Sequence, residues 1–203
     1  MKQRPLHLAG RPERSFATLV EGESNRAALA CVKAYPDWPA PVLLLLGPEG
    51  SGKTHLGEAT AARFGVRFVD RAELADEVEL FGLINAALAG ELPGLVLASR
   101  HAPSEWGIGM PDLASRLSNM PVFRLHEPGD DILGPVLAQL FLDRGRMVAT
   151  DVIEFMLSRC SRSVGDLQAT VEALEQEAQS ERADVTKAWV ARYLARQPDL
   201  FEV

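Results

Sequence analysis

The chain has 203 residues, of which 47% are hydrophobic and 24% are charged, and its formal net charge at pH 7 is −7. This composition is typical of a globular protein of one or two domains and excludes the disordered and fibrous classes. The negative charge argues against non-specific binding to nucleic acid or to an anionic membrane, because both need a basic surface. The longest strongly apolar run covers residues 42–46, far fewer than the roughly 20 that cross a bilayer. We therefore expect a cytoplasmic protein without a membrane partner.

The first 127 residues alternate between helical and strand patterns, which is typical of an α/β domain. Helices are predicted over 25–34 (with Ser24 as N-cap), from 53 to about 64 and over 77–89, and strands over 42–46, 66–69 and 95–98. Residues 121–125 form a further apolar stretch. An unbroken apolar run such as 42–46 indicates a strand of a parallel sheet that is buried on both faces.

A domain boundary is predicted near residue 127, where a Pro-Gly pair coincides with a change in charge. Residues 1–127 contain 15 acidic and 13 basic side chains, and residues 128–203 contain 13 and 8. The second part is predicted to be all helical, with helices over 130–145, 151–159, 164–179 and 187–196, the last three capped by Thr150, Ser163 and Thr186. The predicted division is a tail (1–15), an α/β domain (16–127), a small helical domain (128–196) and a second tail (197–203).

Residues 47–54 match the phosphate-loop pattern G-x-x-x-x-G-K-[ST] in full, between a predicted strand and a predicted helix. Glycines let backbone amides turn towards phosphate oxygens, and the helix N-terminus adds partial positive charge. Lys53 is predicted to reach the β- and γ-phosphates, and the Thr54 hydroxyl to ligate Mg²⁺. The predicted nucleotide-binding residues of this segment are Gly47, Pro48, Glu49, Gly50, Ser51, Gly52, Lys53, Thr54 and His55.

Hydrolysis of a bound nucleotide normally requires a carboxylate at the end of a second strand, where it holds Mg²⁺ and positions water. Asp70 follows the strand predicted over 66–69 and is the candidate. The alternative is that Asp70 is a turn or helix-capping residue, a common role for aspartate at such a position.

Several segments together resemble the DnaA/Hda family of bacterial AAA+ ATPases. Residues 16–25 are similar to the family's F-x-x-[FL]-V-x-G-x-S-N segment, and residues 95–100 and 111–117 resemble two further motifs in the same order. The likeness covers nearly the whole chain and is greatest to the shorter, Hda-like regulatory inactivators of DnaA. It implies an α/β P-loop AAA+ domain with a parallel sheet, followed by a small all-helical lid domain. ADP or ATP and Mg²⁺ are the implied cofactors.

The resemblance also implies roles for individual residues. Leu19 and Val20 would lie beside the adenine base, and Ser99 would be the polar residue near the γ-phosphate. Arg116 would be the arginine finger, since a guanidinium can stabilise charge on a γ-phosphate across an interface. The alternative is that Arg116 is an ordinary surface arginine packed beside apolar neighbours.

Three departures from the family pattern shape the expected function. The segment 66–79 is abbreviated, so either the sheet lacks a strand or the Mg²⁺ motif is degenerate, and we expect weak or absent ATPase activity. Gly165 stands where the replication initiators carry a nucleotide-sensing arginine, and Arg162 is a poor substitute. No basic helix-turn-helix segment follows residue 196, so we do not expect an initiator.

Both tails carry a pattern that resembles the peptide by which proteins bind the bacterial sliding clamp. Such a peptide places apolar side chains in a pocket while a glutamine supplies a hydrogen bond. The candidates are Gln3, Leu6 and Leu8 in the first tail, and Gln197, Leu200 and Phe201 in the second. The alternative is that each tail packs on its own domain or frays.

The predicted function is negative regulation of chromosomal replication initiation. The chain would bind adenine nucleotide, dock on the sliding clamp (the DNA polymerase III beta subunit) and stimulate ATP hydrolysis by the initiator DnaA, contacting DNA only indirectly. Homodimerisation is left open. Two alternatives remain: a small P-loop phosphotransferase such as a nucleotide or metabolite kinase, and a catalytically inactive adaptor that only binds the clamp.

Overall fold

Residues 14–196 are described by a computed structural model of the chain. In this part of the chain, a parallel sheet of four strands forms the centre of the α/β region. The strands are β1 (Val42–Leu46), β2 (Arg67–Val69), β3 (Leu95–Ser99) and β4 (Val122–Arg124). Their order across the sheet is β2–β3–β1–β4, so β1 pairs with β3 on one side and with β4 on the other.

Helices cover both faces of this sheet. They are α1 (Arg26–Lys33), α2 (Lys53–Phe64), α3 (Glu77–Leu88) and α4 (Pro111–Ser118). Leu43 and Leu45 of β1 pack with α1 and α2, whereas Leu44 packs on the opposite face with α3 and α4. Every residue of β1 and β3 is buried, which explains why these strands are apolar almost without interruption.

The predicted strands and helices of this region are confirmed, with their ends shifted by at most one residue. The apolar stretch 121–125 contains β4, and α4 is an additional helix. The N-cap of α1 is Asn25, and the prediction of Ser24 was wrong. The Asn25 carboxamide accepts a hydrogen bond from the Gly22 amide (3.0 Å) and donates one to the Val20 carbonyl (2.8 Å). This network fixes the preceding turn, and the buried Ser24 hydroxyl has no hydrogen-bond partner among the described residues.

Four further helices form a bundle with a core of its own: α5 (Asp130–Leu142), α6 (Thr150–Leu157), α7 (Val164–Glu181) and α8 (Lys187–Ala195). Ser163 and Thr186 cap α7 and α8 as predicted, each accepting a hydrogen bond from an amide three residues on. Thr150 is not an N-cap, because the Ala149 carbonyl already accepts from the Val152 amide and α6 begins one residue earlier. None of the helices between residues 14 and 196 is both long and apolar enough to cross a membrane.

Candidate functional site

The phosphate loop, residues 47–54, connects β1 to α2 in a conformation that requires its glycines. Gly50 and Gly52 have φ angles of 76° and 91°, in the left-handed region that favours glycine. A Cβ atom at Gly47 would lie 2.3 Å from the carbonyl oxygen of Leu125, just beyond β4. The glycines of the sequence motif therefore occupy backbone positions that other residues could not adopt without strain.

Lys53 lies under this loop and is 7% exposed. Its ammonium donates to the carbonyl oxygens of Gly47 (2.7 Å) and Pro48 (2.6 Å) and to the Ser51 hydroxyl (3.3 Å). Burial lowers the pKa of Lys53, although the nearby carboxylate of Asp70 acts in the opposite direction. A phosphate group would give this buried cation a charged partner in place of neutral carbonyls.

Thr54 and Asp70 meet beside the loop, although they are 16 positions apart in the chain. Asp70 follows β2, and its Oδ2 accepts a hydrogen bond of 3.0 Å from the Thr54 hydroxyl. The other carboxylate oxygen accepts from the amide of Arg71, a local turn contact. Mg²⁺ is commonly held by one or two protein oxygens together with phosphates and water, so the pair fits the predicted metal site. The role of Asp70 as the metal-side carboxylate stays a prediction.

Ser99 lies at the end of β3, directly beside the phosphate loop. Its carbonyl accepts a hydrogen bond from the Gly47 amide at 3.2 Å. The Ser99 hydroxyl donates to the His101 carbonyl (2.8 Å) and accepts from the His101 amide (3.0 Å). Ser99 is therefore adjacent to the phosphate loop, with its hydroxyl engaged in a local turn. Its role near the γ-phosphate stays a prediction.

A mostly apolar cavity lies on one side of the loop, between residues 19–25, α2 and the helical bundle. It is lined by Leu19, Val20, Asn25, Gly50, Ser51, Gly52, His55, Leu56, Leu125, Pro128, Ile132, Val136 and Val164. His55 holds the N-terminal segment against α2, since its Nε2 lies 3.0 Å from the Ser15 carbonyl oxygen. Burial lowers the pKa of His55, which favours the neutral ring. An apolar cleft beside a phosphate-binding loop suits a flat aromatic base.

The helical bundle reaches the phosphate loop at the start of α7. A Cβ atom at Gly50 would lie 3.2 Å from the side chain of Ser163. Arg162 points elsewhere, because its guanidinium forms an ion pair of 2.8 Å with Asp130 at the start of α5. The guanidinium of Arg162 is therefore paired with a carboxylate of the helical bundle and is not directed at the phosphate loop.

Arg116 is exposed on α4, and its guanidinium lies 5.2 Å from the centroid of the Phe81 ring on α3. These two helices cover the face of the sheet opposite to α2. Arg116 does not join the residues that line the apolar cavity of its own chain. Its predicted role as a finger therefore requires a nucleotide held by another molecule.

A second cavity of about 330 Å³ lies on the other side of the loop, and sequence reasoning missed it. Its walls include Arg100, just after β3, and Arg124, the last residue of β4. Arg100 forms an ion pair of 2.8 Å with Glu49 of the phosphate loop. The sequence does show one arginine at the end of each of two strands, β3 and β4. It does not reveal that β1 lies between these two strands, with its own carboxyl end between the two arginines.

The predicted clamp-binding residues fall outside the described part of the chain. They are Gln3, Leu6, Leu8, Gln197, Leu200 and Phe201.

No family model matches this sequence. Among solved structures, domain III of the Thermotoga maritima replication initiation protein DnaA is similar with a TM-score of 0.76 and 16% identity, covering 95% of this chain and 99% of that one. AMPPCP-bound DnaA from Aquifex aeolicus is similar with a TM-score of 0.65 and 16% identity, covering 81% and 65%. The Thermotoga maritima RuvB Holliday junction branch migration motor is similar with a TM-score of 0.67 and 14% identity, covering 91% of this chain and 72% of that one. These likenesses confirm the predicted AAA+ type of fold.

Proposed function

We propose that this chain binds ADP or ATP with Mg²⁺ at the phosphate loop. The observation that carries the proposal is convergence on one loop: the buried ammonium of Lys53, the Thr54–Asp70 oxygen pair and an apolar cavity lie around residues 47–54. Two DnaA structures of similar fold were solved with AMPPCP, which supports an adenine nucleotide. When bound, Mg²⁺ would neutralise phosphate charge, with Thr54 and Asp70 holding it.

We further propose that the chain regulates replication initiation by acting on DnaA. The support is Arg116, an exposed guanidinium that lies over the Phe81 ring on an outer helix, away from the apolar cavity of its own chain. An arginine supplied from a second molecule stabilises the charge of the phosphoryl-transfer transition state. The likeness to domain III of DnaA makes a stacked pair of similar domains a reasonable geometry for this contact. The reaction promoted would then be hydrolysis of ATP bound to DnaA, with little hydrolysis of the chain's own nucleotide.

The test is ATP hydrolysis by DnaA in the presence of the full chain, sliding clamp and DNA. We expect Arg116→Ala to reduce the stimulation at least tenfold, because an arginine finger contributes far more than this to turnover. Arg63→Ala is the matched control, since Arg63 also lies over a ring of a helical phenylalanine, Phe64, at 5.9 Å. Stimulation that survives Arg116→Ala would contradict the proposal. Clamp binding without any effect on DnaA would instead indicate an adaptor.

Docking on the sliding clamp is proposed for the tails and is tested by direct binding. Leu6→Ala/Leu8→Ala should abolish binding if the first tail docks. Leu200→Ala/Phe201→Ala should do so if the second tail does. Retention of binding by a chain that carries all four substitutions would exclude the tails as docking peptides.

A second candidate function is phosphoryl transfer to a small acceptor. The observation that favours it is the cavity beside the loop, where Arg100 and Arg124 lie on neighbouring walls. Small P-loop kinases need such cations around the transferred phosphate. Transfer of phosphate from ATP to an acceptor without any protein partner would support this function.

A further inference from the structure

The central sheet ends at β2 on one side. In the order β2–β3–β1–β4, β2 pairs with β3 and has no second strand beside it among residues 14–196. The helices pack on the two faces of the sheet, with α2 over β2 and β3 and α3 over β1 and β3. The outer side of β2 is therefore a sheet edge. We call it the open edge, and it consists of Arg67, Phe68 and Val69.

The backbone of Phe68 is directed towards the open edge. The Arg67 amide donates a hydrogen bond of 2.9 Å to the Gly94 carbonyl, on the side of β3. Successive residues of a strand direct their backbone groups to opposite sides, so the amide and carbonyl of Phe68 face away from β3. Neither group is bonded to a turn or loop within the described part of the chain. An unpaired donor and acceptor on a strand are a template for a further strand.

Positive charge flanks these backbone groups. Arg67 precedes Phe68, Arg71 follows the end of β2, and both arginines are exposed. Neither forms an ion pair with another residue that the structure describes. The carboxylate between them in sequence, that of Asp70, already accepts from the Thr54 hydroxyl and the Arg71 amide. The open edge therefore carries uncompensated positive charge, although the net charge of the chain is −7.

We infer that the open edge binds an extended, acidic segment of a partner protein as an added strand. The partner's backbone bonds the amide and carbonyl of Phe68, and its carboxylates pair with Arg67 and Arg71. A second copy of this chain fits poorly, because pairing edge to edge would bring like charges together. Nucleic acid also fits less well, since phosphates accept hydrogen bonds but do not donate one to the Phe68 carbonyl. The inference stands apart from nucleotide binding, because no residue of the open edge lines either cavity beside the phosphate loop.

The first test is hydrogen exchange of backbone amides, followed by NMR in the full chain with and without a hexapeptide of alternating glutamate and valine. At saturation the Phe68 amide should exchange at least about tenfold more slowly, because it gains a hydrogen bond. The Arg67 amide should change little, since it is already bonded to Gly94. The same peptide methylated on every backbone nitrogen keeps its charge but loses its donors. It should bind at least about fivefold more weakly.

Charge reversal supplies a second test, measured by fluorescence anisotropy of the labelled peptide. Arg67→Glu and Arg71→Glu should each weaken binding at least about fivefold, because an exposed ion pair is replaced by repulsion. Arg26→Glu is the matched control, since Arg26 is an exposed arginine of α1, the helix that packs beside β4 at the opposite edge of the sheet. Unchanged thermal melts, followed by circular dichroism, would show that the variants are folded.

Four results would overturn the inference. The first is a peptide that does not bind, or that binds without protecting the Phe68 amide. The second is an equal loss of affinity in Arg26→Glu, which would indicate attraction to the whole surface only. The third is protection of the Phe68 amide by self-association of the chain, which would assign the open edge to a second copy. The fourth is binding of single-stranded oligothymidylate that depends on Arg67 and Arg71 and excludes the peptide, which would assign it to nucleic acid.

Discussion

Gly57 allows α2 to approach β2 closely enough for Thr54 to meet Asp70. A Cβ atom at Gly57 would lie 2.0 Å from Cε2 of Phe68 and within 2.5 Å of two more atoms of that ring. Real Cβ contacts essentially never fall below 3.0 Å, so the ring or the helix must move. A shift of α2 away from β2 would separate the Thr54 hydroxyl from the carboxylate of Asp70, which it contacts at 3.0 Å.

The cost of Gly57→Ala follows from two opposing effects. Alanine is favoured over glycine inside a helix by about 1 kcal/mol. Forcing a methyl group into a packed interface costs about 1–3 kcal/mol, and a contact of 2.0 Å belongs at the upper end of that range. We therefore expect the free energy of unfolding to fall by about 2 kcal/mol. Mg²⁺-dependent nucleotide affinity should fall as well.

Urea denaturation of the full chain, followed by circular dichroism, measures this loss. Gly82→Ala is the matched control, since Gly82 is also inside a helix and a Cβ atom there would meet nothing within 4 Å. We expect Gly82→Ala to raise the free energy of unfolding by up to about 1 kcal/mol. Gly57→Ala/Phe68→Leu should recover part of the stability lost in the single variant. If Gly57→Ala stabilised the chain as Gly82→Ala does, the close packing of α2 on β2 would be refuted.

Three further predictions concern ionisable side chains. Arg146→Ala should lower the free energy of unfolding by about 3 kcal/mol in the same urea assay, because it leaves Glu175, 4% exposed, without its ion-pair partner at 2.7 Å. The double variant Arg146→Ala/Glu175→Gln should recover part of the lost stability, because it removes the unpaired buried charge. An equal loss in the single and the double variant would contradict this explanation. His55 should make the free energy of unfolding depend on pH, because burial lowers the pKa of its ring below 6.5 in the folded chain. The contribution of His55 to that free energy is complete above pH 6.5, and it is lost as the pH falls from 6.5 towards the folded-state pKa. The melting temperature of His55→Gln should accordingly fall less than that of the wild type between about pH 7.5 and 5.5, and equal slopes would count against the buried neutral ring. Lys53→Ala should weaken ADP binding tenfold to about a hundredfold in calorimetry through loss of a charge-assisted contact, and unchanged affinity would remove Lys53 from the site.

The local features of this protein were predictable because each depends on residues close together in the chain. The phosphate loop is such a feature, as its glycines, Lys53 and Thr54 lie within eight residues between one strand and one helix. The caps of α7 and α8 were predictable for the same reason, since a serine or threonine oxygen bonds an amide three residues on. The N-caps of α1 and α6 were predicted one residue away from their observed positions, because neighbouring residues compete for the cap. Asn25 and Ala149 occupy these positions.

By itself, the sequence determined that the chain alternates strands and helices around a phosphate loop and then continues as helices, because hydrophobic periodicity and glycine chemistry act locally. The tertiary structure decided which strand ends become neighbours. The order β2–β3–β1–β4 brings Asp70 to Thr54 and places Arg100 and Arg124 on either side of β1. Strand order arises from the packing of all the helices on both faces of the sheet, so residues that are tens of positions apart acquire a shared site only when the whole domain folds.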